Sequence, residues 1–73
     1  MKPIPIRAAK EIASLYGYDQ VIILGRKVGA PPEEHGEHLT TYGRDRAHCD
    51  AAAKAGRALR RFMGWPERNE TIA

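Results

Sequence analysis

The chain has 73 residues, 12 Lys and Arg against 9 Asp and Glu, a net charge of +3 and a single cysteine. That length holds one domain, near the size at which a lone hydrophobic core becomes marginal. One cysteine and no CxxC pair exclude an internal disulfide and a cysteine-based structural zinc, and the longest strictly apolar run, four residues, is far short of the roughly 20 that span a bilayer. A lone thiol and an N-terminus without an apolar signal region predict a cytoplasmic protein.

The first helix is predicted from Pro5 to Tyr16. Proline suits the first helical position, and Ala8, Ala9, Ile12, Leu15 and Tyr16 recur at helical spacing. Gly17 supplies the left-handed stop. The run Gln20-Val21-Ile22-Ile23-Leu24-Gly25 then reads as a strand to about Lys27. Its side chains alternate, so Val21 and Ile23 face one way while Ile22 and Leu24 face the other. A strand apolar on both faces needs cover on both faces.

Val28 to Gly36, with two prolines and an acidic end at Glu33-Glu34, reads as a loop. A second strand follows from Glu37 to Tyr42, paired antiparallel with the first in a hairpin. Asp45 caps a second helix from Arg46 to Met63, with His48, Ala51, Ala52, Ala55, Leu59, Phe62 and Met63 as its apolar stripe. Gly64, Trp65 and Pro66 end it, and residues 67–73 read as a loose polar tail after a single domain over 1–66.

The expected fold is therefore α+β, in the order α-β-β-α, with both helices on one face of a two-stranded hairpin. The expected core is Ile12, Leu15, Tyr16, Val21, Ile23, Leu39, Thr41, Ala55, Leu59 and Phe62, closed by Trp65. On that arrangement the other face stays bare, and a homodimer through Ile22, Leu24 and Tyr42 is expected to cover it or extend the sheet.

Candidate chemistry is sparse. His35, Glu34 and His38, with His48 and Cys49, carry metal-ligand chemistry. The HxxH spacing nevertheless matches no zinc motif, and His35 and His38 would point to opposite faces of a strand. No metal and no cofactor is expected. His48 and Cys49 are adjacent on a helix and so lie about 100° apart, which keeps the imidazole from serving as base for the thiol. The strand–turn–helix junction at Arg44, Asp45 and Arg46 offers backbone N–H groups to an anion, and with Arg26 and Lys27 it would make a small anionic-ligand site. The simpler reading is that Asp45 already satisfies those donors. Lys54, Arg57, Arg60 and Arg61, with Arg68 beyond, form a basic group suited to salt-sensitive, sequence-independent nucleic-acid binding, although no aromatic residue interleaves them.

Taken together, Ala9-Lys10-Glu11-Ile12-Ala13, Tyr16 to Ile23, His38 to Gly43, His48-Cys49-Asp50 and Met63-Gly64-Trp65-Pro66 resemble a family of short phage and prophage open reading frames. The resemblance implies a phage-type accessory protein that binds a host factor or a small host molecule, and it carries over no functional residue. The expected function is a non-catalytic, homo-oligomeric binding module for a protein or a small anionic ligand. A nucleic-acid binder using the second helix is the alternative, and a metal- or cysteine-dependent enzyme is the third reading.

Overall fold

A computed structural model of the chain describes residues 2–29, 36–66 and 69–73. Its elements are α1 (Ile6–Tyr16), β1 (Gln20–Arg26), β2 (Glu37–Gly43), α2 (Arg46–Met63) and β3 (Glu70–Ile72), an α+β fold. Both helix stops work as their glycines predict. Gly17 and Gly64 adopt φ of 77° and 74°, and their N–H groups close onto Ala13 O and onto Arg60 O and Arg61 O. Asp45 caps α2 by accepting from the His48 N–H at 2.9 Å.

The sheet has three strands in the order β1-β2-β3. β1 and β2 form the expected antiparallel hairpin, with Gln20 opposite Gly43 and Arg26 opposite Glu37. The correction lies at the C-terminus. Residues 70–72, expected within a loose tail, form β3, which runs parallel to β2 with Leu39 opposite Glu70 and Thr41 opposite Ile72. Leu39 donates to Asn69 O at 3.0 Å and Ala73 donates to Thr41 O at 3.1 Å. α2 is the crossover that a parallel pair requires, so β2-α2-β3 is a βαβ unit. Three residues with a single large aliphatic give no periodic signal of their own; only α2 returning the chain to the β2 edge makes them a strand.

The second correction concerns layers. Gly56 of α2 lies against Leu39 and Thr41, which share one face of the sheet with Ile22 and Leu24. Ile4, just before α1, touches Gly25, and its carbonyl accepts from Thr40 Oγ1 at 2.7 Å on the opposite face. The helices therefore sandwich the sheet, one on each side, instead of sharing a face. The two-sided strand is covered by its own chain: Ile22 and Leu24 lie half-buried on the α2 side and Tyr42 half-buried on the α1 side. Among the described residues each sheet face carries a helix, so of the two dimer modes expected through those side chains, cover of a bare face loses its premise while extension of the sheet does not.

The core is made of small residues. Ala9 and Ala13 of α1, Leu39 of β2, and Ala52 and Ala53 of α2 are its buried apolar members, with Thr40, Thr41 and Gly56 between them. Of the expected core, Leu39 and Thr41 are buried, and Val21, Ile23 and Trp65 are half-buried. Ile12, Leu15, Tyr16, Ala55, Leu59 and Phe62 are exposed. The reason is a rotation of each helix toward its small residues. On α2 the face against the sheet is Cys49, Ala52, Ala53, Gly56 and Arg60, turned by about one residue, ~100°, from the large-residue stripe. Alanine and glycine let the helix backbone approach the narrow sheet closely, and Arg60 reaches Glu70 of β3.

Candidate functional site

The four basic residues expected to make one anion site lie at opposite ends of the hairpin. Arg26 and Lys27 close β1, while Arg44 and Arg46 lie beyond its start, where Gly43 pairs with Gln20. Six residue steps along a strand separate the groups by roughly 20 Å. Arg44 is bound locally, with Nη1 3.1 Å from Asp19 Oδ1 and Nε 3.6 Å from Asp45 Oδ2. Arg46 Nε lies 3.3 Å from Asp50 Oδ1, one helical turn away. The junction is thus a capped and ion-paired helix start. Asp45 has its carboxyl held below the ordinary value, first by the His48 N–H it accepts and then by the charges of His48 and Arg44.

At the other end, Lys2, Ile4, Gly25, Arg26, Lys27 and His38 line a pocket of about 180 Å³. Its walls are mainly apolar, and Lys2 and Lys27 are among the residues that line it. The Arg26 guanidinium lies over the Trp65 ring, 5.9 Å from its centroid, on the α2 side. Lys2 and Lys27, both exposed, are the two lysines of the pocket lining. His38 is buried, and its Nε2 is 3.0 Å from Thr71 Oγ1, which ties β2 to β3. This pocket exists because the segment before α1 folds back over the end of β1. Arg26 and Lys27, adjacent in sequence, both line it, whereas Lys2 and His38 were not among the residues expected at an anion site. Lys2 sits 25 residues from Lys27 in sequence, with no local signal linking them.

The histidine and cysteine candidates have separate engagements. His48 Nδ1 is 2.7 Å from Gln20 Nε2, whereas Cys49 Sγ donates to Gly43 O at 3.2 Å. Base and thiol thus point to different neighbours. Glu33, Glu34 and His35 lie outside the described residues. Among the described residues, no three His, Cys, Asp or Glu side chains gather as a metal set.

The basic group on α2 is also divided. Arg60 is 1% exposed and paired with Glu70. Arg57 lies 4.0 Å from the same carboxylate, leaving Lys54 and Arg61 exposed on that helix, and Arg68 lies outside the described residues. A buried, paired arginine cannot release counterions from a phosphate backbone, so the four-residue phosphate-binding face is not assembled. No helix among the described residues is long and apolar enough to cross a membrane. No protein-family model matches the chain, and neither does any curated protein or solved structure.

Proposed function

We propose that the protein is a non-catalytic, homo-oligomeric binding module, of phage accessory type, that takes a small anionic ligand at the Lys2–Lys27 pocket. The observation that carries this reading is the pocket itself: Lys2 and Lys27 both belong to the lining of a mainly apolar pocket of about 180 Å³, together with His38. Such a site suits a carboxylate or phosphate attached to a short apolar body, the charge held at the rim and the body against Ile4 and Gly25. The separate partners of His48 and Cys49 support a binding role over a thiol-dependent reaction.

Titration of the isotope-labelled protein with short-chain carboxylates and inorganic phosphate, followed by amide chemical shifts, tests the proposal. Shifts are expected at Ile4, Gly25, Lys27 and His38. Replacing Lys27 with Ala should weaken binding about tenfold, the effect of losing one charge-assisted hydrogen bond. Shifts centred on Arg44 and Arg46 instead, or none with either probe, would remove the pocket as the site.

A further inference from the structure

β1 is an edge strand, and its backbone pattern gives that edge a definite chemistry. The bonds Arg44 N–H to Asp19 O and Lys27 N–H to Gly36 O fix which residues of the hairpin exchange hydrogen bonds. By the antiparallel alternation, Val21, Ile23 and Gly25 bond inward to β2. The N–H and C=O groups of Gln20, Ile22, Leu24 and Arg26 therefore point outward, and among the described residues no strand meets them.

Both helices lean their large apolar residues over that same edge. On α2, His48 touches Gln20 of β1, whereas Arg57 and Arg60 reach Glu70 of β3. The flank continuing from His48, namely Ala51, Ala55, Leu59 and Phe62, thus lies on the β1 side. α1 runs antiparallel to β1 on the opposite face. The handedness of strand and helix then puts Ala8, Ile12 and Leu15 over the β1 edge and Arg7, Lys10 and Ser14 over the β2 side. Leu15 is 77% and Phe62 87% exposed.

We infer that a second copy of this chain pairs with the β1 edge, two β1 strands running antiparallel about a two-fold axis beside Ile23. This rests on and specifies the oligomeric part of the proposed function, and of the two expected modes, cover of a sheet face or extension of the sheet, it takes the second. In the register that pairs the whole strand, Ile22 of one copy exchanges both backbone bonds with Leu24 of the other, and Gln20 does so with Arg26. No like charges oppose each other, and the sheet becomes continuous across six strands. The spacing fits as well. α1 lies over β1 and β2 alike, so two copies of it would stand about 10 Å apart, the separation of packed helices. α2 lies mainly over β2, which puts its two copies roughly 14 Å apart, a gap Leu59 and Phe62 are long enough to fill. The exposed parts of Ile12, Leu15, Leu59 and Phe62 amount to about 500 Å² per copy. Two copies thus offer at most close to 1,000 Å² from these side chains, to which the strand backbone adds, against the roughly 1,000 Å² at which specific interfaces begin.

Sedimentation equilibrium of the full chain tests this, with cross-linking to test the register. Wild type is expected to be a dimer at about 100 μM, and Leu15→Lys with Phe62→Lys should weaken it at least 100-fold while leaving the circular dichroism intact, both sites being exposed. In a Cys49→Ser background, Ile23→Cys should form an intermolecular disulfide, because residues opposite in a non-hydrogen-bonded pair have Cα atoms ~4.5 Å apart. Lys10→Cys, on the far flank, should not. A monomeric wild type, a dimer indifferent to the lysine pair, or cross-linking at position 10 in place of 23 would each overturn the inference. A monomer that still shifts with carboxylate would refute the edge dimer alone. A dimer silent to both carboxylate and phosphate would refute the pocket alone.

Discussion

Gly56→Ala separates a packed helix from an exposed one by the sign of its effect. In an exposed helix interior, Ala is more stable than Gly by about 1 kcal/mol. Here an added Cβ would stand 2.9 Å from Thr41 Cγ2 and 3.1 and 3.3 Å from the two Leu39 methyls. Thr41 is fully buried and branched at Cβ, so its freedom to turn away is restricted. Overpacking of this kind costs ~1–3 kcal/mol, which exceeds the helix gain. The net expectation is destabilisation of about 1 kcal/mol, or a melting temperature lower by roughly 4–8 °C in a domain of this size. Thr41→Ser deletes the methyl in closest contact, so the cost of Gly56→Ala should shrink by ~0.5 kcal/mol or more in that background. Urea denaturation of the four proteins of this cycle, monitored by circular dichroism at a fixed protein concentration, supplies the numbers. A Gly56→Ala protein that is more stable than wild type, with no coupling to position 41, would refute the placement of α2 on Leu39 and Thr41.

Two further predictions address the elements that close the fold. Glu70→Ala leaves the buried Arg60 guanidinium without its β3 carboxylate, and should cost about 3 kcal/mol in urea denaturation, a large share of the ~5–15 typical of a domain. A loss below ~1 kcal/mol, as for a surface pair, would mean that Arg60 does not depend on the Glu70 carboxylate for its charge compensation. Asp45 has a folded pKa below its ordinary value of 3.8, so its contribution to stability is complete above that value and is lost as pH falls through the lower folded value. The stability difference between wild type and Asp45→Ala should therefore shrink as pH drops below about 3.8, while Asp45→Asn, a cap without a titrating group, should show no change across that window. A difference between wild type and Asp45→Ala that is constant down to pH 2 would refute the ion-stabilised cap.

What could be read from the sequence was what neighbours in the chain decide. Pro5, Gly17, Asp45 and Gly64 mark helix ends through their own dihedral preferences and side-chain oxygens, and β-branched residues mark β1. The observed bounds of α1, β1, β2 and α2 accordingly fall within a residue of those expected. The candidate site was only half legible. Arg26 and Lys27 adjoin each other in sequence, whereas Lys2 and His38 reach the pocket only because the N-terminal segment folds over the hairpin end.

The sequence also required cover for both faces of β1, since alternating Val21, Ile22, Ile23 and Leu24 leave neither face polar. Where that cover comes from was a tertiary matter. Periodicity finds the most apolar stripe of a helix, but the face that packs is the one giving the closest approach and satisfying its polar groups. On α2 that face holds Ala52, Ala53, Gly56 and Arg60, because Glu70 arrives beside Arg60 from ten residues further along the chain. Burying the small residues leaves Leu15, Leu59 and Phe62 exposed. Helix ends and strand alternation are local and belong to the sequence; helix rotation, the third strand and the layer order depend on partners distant in the chain, so only the assembled structure decides them.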